Sequence, residues 1–177
     1  MPAVEIRPLT ADAETLAALS KLLIETVASG GSVSFMHALS VEDATAFWTK
    51  SLSSAARGER VVLGAFVDGE LCGSVTLIID CPPNQPHRGE IAKMMTTRSR
   101  RGQGIGSALL AEAERIAVAG GRTLLNLDTA SEDGAAAFYE RNGYTYAGEI
   151  PGFALKPHGG LTGTRIYWKR IGPASCL

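Results

Sequence analysis

The sequence predicts an α+β sandwich, a mixed and mostly antiparallel sheet with helices on both faces. Three observations carry that expectation. Two apolar runs of strand length, Val61–Val67 and Leu71–Ile79, flank Asp68-Gly69, a hairpin turn signal. A strand at 90–97, a helical pattern at 104–119 and a strand at 122–128 form one crossover unit, whose two strands must run parallel by a right-handed connection. Two more helical patterns precede the hairpin, and closing strands follow the crossover.

Taken in order, Val4–Arg7 is a short first strand. Residues 11–28 form a helix, because Leu16, Leu19, Leu22, Leu23 and Val27 recur at three- and four-residue spacing. Gly30-Gly31 stops it. A second helix spans 41–56, with Ala44, Phe47, Trp48 and Leu52 as its apolar stripe. Ser40 is its N-cap, helped by Asp43 in the first turn. The hairpin follows, then a proline-rich loop around Pro82-Pro83-Asn84-Gln85-Pro86. Ile105, Ala108, Leu109, Ala113, Ile116 and Ala117 share one face of the third helix, which Gly120-Gly121 ends. Thr123–Asp128 is the next strand, 132–141 the next helix, and Gly143 its stop. Tyr144–Ala147 and Thr164–Ile171 close the sheet. Between them, 148–163 holds Pro151, Pro157 and five glycines, a loop-like composition able to cover a site.

Composition bounds the class. The 177 residues fit one domain, 1–177, with a sizeable core. The net charge of -1 gives no bulk attraction for nucleic acid or an anionic membrane. No apolar run approaches the roughly 20 residues of a membrane span. Cys72, Cys81 and Cys176 lack metal-ligand spacing, and an odd count without a signal peptide suits reduced thiols in the cytoplasm. His37, His87 and His158 sit in loops without regular spacing, so no metal is expected. Neither a Ser-His-Asp nor a Cys-His arrangement is visible, which points away from a covalent enzyme intermediate.

The most informative segment is Arg101-Gly102-Gln103-Gly104-Ile105-Gly106-Ser107, between a strand and a helix. Glycine lets a ligand approach the backbone and permits φ > 0. The N–H groups then face outward at a helix mouth, whose dipole favours an anion. Arg98, Arg100 and Arg101 add charge beside it. A phosphorylated cofactor suits such a device; a glycine turn with no ligand is the alternative. A P-loop is excluded, because no lysine follows the last glycine. A dinucleotide fingerprint is disfavoured by Ser107 and by the hairpin region upstream. Asp128 ends its strand where ligands of crossover units sit, though Asp128 and Ser131 could instead cap the next helix. Phe138 and Tyr139 could be helix aromatics of the core.

Arg101, Gly104 and Gly106 match the pattern Arg/Gln-x-x-Gly-x-Gly/Ala, and with the element order the chain resembles the GNAT superfamily of acetyl-CoA-dependent acetyltransferases. Stretches including Leu22–Val27, Gly31–Met36, Leu127-Asp128-Thr129, Ala137-Phe138-Tyr139, Gly148–Gly152 and Ile166–Lys169 look like the tabtoxin-resistance acetyltransferases. The resemblance implies a GNAT-like fold, acetyl-CoA as cosubstrate, and direct acetyl transfer to a primary amine of a small molecule, such as an antibiotic or amino-acid-like toxin. It implies that Arg101, Gly102, Gln103, Gly104, Ile105, Gly106 and Ser107 hold the pyrophosphate. Met94, Met95 and Thr96 would line the pantetheine arm, their amides being the candidate oxyanion donors. Asp128 would be the general base, acting directly, through a water, or by orienting and desolvating the amine. Tyr139 would be the acid for the leaving thiolate, and Phe35, Met36 and Trp48 a substrate wall. Many members carry an asparagine seven residues before the helix tyrosine; here that residue is Glu132. The partner expected is a small-molecule amine, with no nucleic acid and no membrane, and a homodimer is left open. A protein amino group as acceptor, or a non-catalytic acyl-CoA-binding module, are the rival readings.

Overall fold

The computed structural model describes residues 4–172, so Cys176 lies outside the described residues. Seven strands and four helices occur in the expected order. They are β1 (Glu5–Pro8), α1 (Ala13–Ala28), α2 (Val41–Ala56), β2 (Arg60–Val67), β3 (Glu70–Ile78), β4 (Arg88–Thr96), α3 (Ile105–Ala119), β5 (Leu124–Ala130), α4 (Ala136–Arg141), β6 (Thr145–Leu155) and β7 (Leu161–Arg170). The sheet order is β1-β2-β3-β4-β5-β7-β6. Only β4 and β5 run parallel; the other neighbours are antiparallel.

The central strands of the sheet are buried on both faces. Leu63, Ala65 and Val67 of β2 join Leu109, Leu110 and Ala113 of α3 in one core. Val62, one position before Leu63, points the other way and packs with Leu19, Leu22 and Leu23 of α1 and Trp48 of α2. That is the two-residue alternation of a strand covered on both sides. The helix ends obey local chemistry. Asp12 accepts from the Thr15 N–H at 2.8 Å at the start of α1. Ser40 Oγ accepts from the Asp43 N–H at 3.0 Å and donates to the Asp43 carboxylate at 2.8 Å, as its N-cap placement requires.

The structure corrects the sequence in two places. The helix expected over 132–141 begins only at Ala136, with Ala135 as an uncapped N-cap. Neither Asp128 nor Ser131 caps it. The loop expected over 148–163 is largely a hairpin of β6 and β7. Gly148, Pro151 and Gly152 are absorbed by register shifts between Tyr146/Gly148 and Ile150/Ala154. β6 is the sheet edge, where proline costs no ladder bond to a further strand. Only 156–160 forms the turn, closed by the Lys156 N–H donating to the Gly160 carbonyl at 2.9 Å.

Strand β4 carries the feature that shapes the molecule. Ser74 and Thr76 of β3 oppose Met95 and Ala92, so β4 holds one extra residue there. Lys93 takes φ 51 at that point, a left-handed value uncommon for a residue with a side chain. One inserted residue reverses which face the later side chains meet. Ile91 accordingly packs in the α3 core, while Met95 packs in the α1–α2 core. Pairing of β4 with β5 stops after Glu90 and Asn126, and beyond that point the strands part.

Trp48 is fully enclosed, at 0% exposure. Replacing it by alanine should cost about 3–5 kcal/mol of stability in urea unfolding. Val41→Ala, at an exposed site on the same helix, should stay within about 0.5 kcal/mol. Equal effects of the two would refute the core placement of Trp48.

Candidate functional site

Where β4 and β5 separate, a cleft of about 1210 Å³ opens. It runs from the α1–α2 connection, along β4, to the glycine turn before α3, and is walled by the end of β5, by α4 and by the β6–β7 hairpin. The side of β4 that would face β5 has no strand partner beyond Glu90, so its polar backbone borders the cleft.

The glycine turn lies at one end. Gly102 and Gly104 have φ of 76 and 80, and a Cβ on either would meet no heavy atom within 4 Å. Positive φ, not crowding, demands glycine there. Gly106 differs: a Cβ would come within 3.0 Å of the Phe138 ring, so its bareness lets α4 pack on the first turn of α3. Gly104 caps α3, whose first intrahelical bond is from the Ala108 N–H to the Gly104 carbonyl at 3.0 Å. The Ile105, Gly106 and Ser107 N–H groups therefore lack an intrahelical partner. Arg100 and Arg101 border the same end, and Arg101 Nε donates to the Thr96 carbonyl at 3.4 Å. Free donors, a helix dipole and two guanidinium groups make an anion site. Gln103 does not line it, because its side-chain amide turns back to the Ser99 carbonyl at 3.4 Å.

Asp128, on β5, lines the middle of the cleft. Thr164 of β7 donates to its Oδ2 at 2.8 Å and so fixes the carboxylate. Sequence reasoning missed Thr164; it is 4% exposed and reads in sequence only as the start of a closing strand. Tyr139 lines the same cleft and also belongs to the α3 core, against Tyr144 and Tyr167 at ring-centroid distances of 5.9 and 6.1 Å. Tyr139 is thus a core residue that also borders the cleft. Burial raises its phenol pKa well above the usual value, and the charge of Asp128 adds to that rise. The proton therefore stays on.

Met94, Met95, Thr96, Gly102, Gly104, Ile105, Gly106 and Ser107 all border the cleft, as does Phe35. The side chain of Met95 points into the α1–α2 core, so its backbone is what the cleft sees. Trp48 does not reach the cleft; it packs behind Phe47, 5.0 Å away, which in turn meets Phe35 edge-on at 5.1 Å. The expectation of Trp48 as a substrate wall is corrected. Its apolar stripe could be read from sequence, but not which of two adjacent aromatics faces outward. Glu132 pairs with Lys156 at 2.8 Å and is outside the cleft.

Lys93 was also missed. It borders the cleft, donates to Ser34 Oγ at 2.9 Å and lies 5.9 and 5.7 Å from the rings of Phe35 and Phe47. Burial lowers its pKa, and the charges of Asp128 and Glu90 oppose that change. Outside the lining of the cleft, two distant segments meet. The His37 N–H donates to the Pro157 carbonyl at 2.9 Å, His158 Nε2 donates to the Ala28 carbonyl at 3.0 Å, and the two imidazoles lie 4.5 Å apart, tilted by 42°.

Among the described residues, no helix is long and apolar enough to cross a membrane. Solved structures share the fold. Ribosomal-protein-alanine N-acetyltransferase from Brucella melitensis aligns at a TM-score of 0.79 and 21% identity, over 94% of this chain and 99% of that one. yncA from Salmonella typhimurium, solved with its cofactor acetyl-CoA, aligns at 0.76 and 16%, over 98% and 97%. An aminoglycoside 6'-N-acetyltransferase complexed with coenzyme A aligns at 0.74 and 19%, over 96% and 98%. The model of the acetyltransferase (GNAT) family matches residues 32–144. That span is more than half of the chain and takes in the bulged strand, the glycine turn, Asp128 and Tyr139, and by it the chain belongs to the acetyltransferase (GNAT) family.

Proposed function

We propose that the chain transfers an acetyl group from acetyl-CoA directly to a primary amine of a small molecule, an antibiotic or amino-acid-like toxin of the tabtoxin-resistance type. One observation carries this reading: a single cleft gathers the free amides of 105–107, the Asp128 carboxylate and the Tyr139 phenol. The residues suit the coenzyme. Open space at Gly102 and Gly104, unpartnered N–H groups and Arg100 with Arg101 form a cradle for a diphosphate. The unpaired side of β4 at Met94–Thr96 offers amides and carbonyls to an extended amide-containing arm.

When bound, acetyl-CoA supplies an electrophilic thioester carbonyl and a thiolate leaving group. The protein supplies position, which alone lowers the barrier substantially. Asp128 attracts the acceptor ammonium and takes its proton at Oδ1, the oxygen Thr164 leaves free. A carboxylate is a weak base for an alkyl ammonium, so desolvation of the amine in the cleft is part of the task. The backbone N–H groups of the unpaired β4 edge stabilise negative charge on the carbonyl oxygen. Tyr139 Oη holds a proton for the departing sulfur, and its raised pKa keeps that proton in place across the working pH range.

The cleft is walled by the 29–36 segment, β4, the end of β5, α4 and the β6–β7 hairpin, which favours a small acceptor over a protein one. The exposed edge strand β6 is the surface on which a homodimer would be sought.

Three outcomes follow. Asp128→Asn should lower turnover about tenfold or more with coenzyme affinity retained. Unchanged kcat would remove Asp128 from the chemistry. Tyr139→Phe should lower kcat with little change in KM for the coenzyme, and below pH 10 both proteins should show the same alkaline limb. Equal activity would return Tyr139 to a packing role alone. Gly104→Val, forced to φ near 80, should weaken coenzyme A binding about tenfold or more in calorimetry, whereas Gly120→Ala at φ -85 should not. A protein that takes up no coenzyme A at millimolar concentration would overturn the proposal as a whole.

A further inference from the structure

Lys93 is strained in backbone, half-buried in side chain, and aimed at the acceptor end of the cleft. A residue with a side chain at φ 51 in mid-strand costs energy that glycine would avoid, and such outliers concentrate at functional sites. The ammonium has three donors, of which Ser34 Oγ takes one. Among the described residues it has no carboxylate partner within salt-bridge distance, although eight such pairs occur elsewhere. Phe35 and Phe47 hold the head but satisfy no hydrogen bond. A partly desolvated cation with donors to spare, in a cleft that also presents Asp128, lacks one thing: an anion.

We propose that Lys93 binds a carboxylate carried near the acceptor amine, so that the site selects zwitterionic, amino-acid-like acceptors and disfavours polycationic amines. This rests on the acetyltransferase reading of the same cleft. The two charges of such an acceptor match the two charges of the wall, with its ammonium toward Asp128 and its carboxylate toward Lys93. The carboxylate also fills the donors that Ser34 leaves. The ledge of Phe35 and Met36 beside Lys93 gives an apolar side chain somewhere to lie. A polyamine would instead bring its positive charges against Lys93.

The test assays the twenty proteinogenic amino acids, their carboxamides and spermidine with acetyl-CoA, read by free-thiol release. At least one acid should exceed its carboxamide about tenfold or more in kcat/KM, the value of one charge-assisted hydrogen bond. Lys93→Met should collapse that preference to within about threefold, and Lys93→Arg should keep most of it. Lys93→Gly, which suits the backbone at φ 51, guards against misfolding of the methionine variant and should also lose the preference. Acids and carboxamides used equally, a preference that survives in both Lys93→Met and Lys93→Gly, or spermidine as the best acceptor would overturn the proposal. So would an absence of turnover for every acid while coenzyme A binds. Calorimetry with coenzyme A separates the two levels: no uptake brings down the acetyltransferase reading itself, whereas uptake with indifferent acceptor choice brings down only the role of Lys93.

Discussion

One inserted residue in β4 governs the site. Without it, β4 would continue beside β5 as an ordinary parallel pair, and the ladder would close the space the cleft occupies. With it, pairing ends at Glu90 and Asn126, and the later part of β4 keeps its bonds to β3 alone. The backbone released on the other side is polar and must be satisfied by something. The same slip sends Met95 to one core and leaves Met94 against the other, so both helical layers hold the bulge in place. Since the strand leads through the Arg98–Arg100 turn into the glycine segment, the bulge also sets where the α3 N-terminus points.

Stability and chemistry share atoms here. Tyr139 is a core aromatic and a cleft residue at once. Gly106 lets Phe138 approach the first turn of α3, which draws α4 toward the anion site. Thr164 spans β7 and β5 by donating to Asp128 at 2.8 Å and to the Thr129 carbonyl at 3.3 Å. These contacts are short-range and packed, so Asp128 and Tyr139 rest on a strand and a helix and not on loops.

Much of this was legible in the residues. The element order, the Ser40 cap, the crossover unit and the glycine turn follow from patterns with a local cause. The bulge did not show, because Ile91-Ala92-Lys93-Met94-Met95 contains neither glycine nor proline, and its strain is imposed by the flanking strands. Lys93 and Thr164 were invisible for a related reason: each matters through a partner 59 or 36 positions away. Residues 148–163 looked like a loop because glycine and proline weaken a strand, yet an edge strand with two register shifts accommodates them. Trp48 and Phe47 are adjacent on a helix, and periodicity leaves undecided which of the two is fully enclosed.

The clasp between residues 28–37 and 156–158 has a kinetic meaning. It consists of two backbone-anchored hydrogen bonds and one tilted imidazole contact, and both histidines are exposed. Contacts of that kind carry little net free energy, about 1 kcal/mol each. Gly159 and Gly160, at φ 96 and 83, sit at the end of the turn where rotation is least hindered. The clasp can therefore open while both cores stay shut, a motion decoupled from global unfolding.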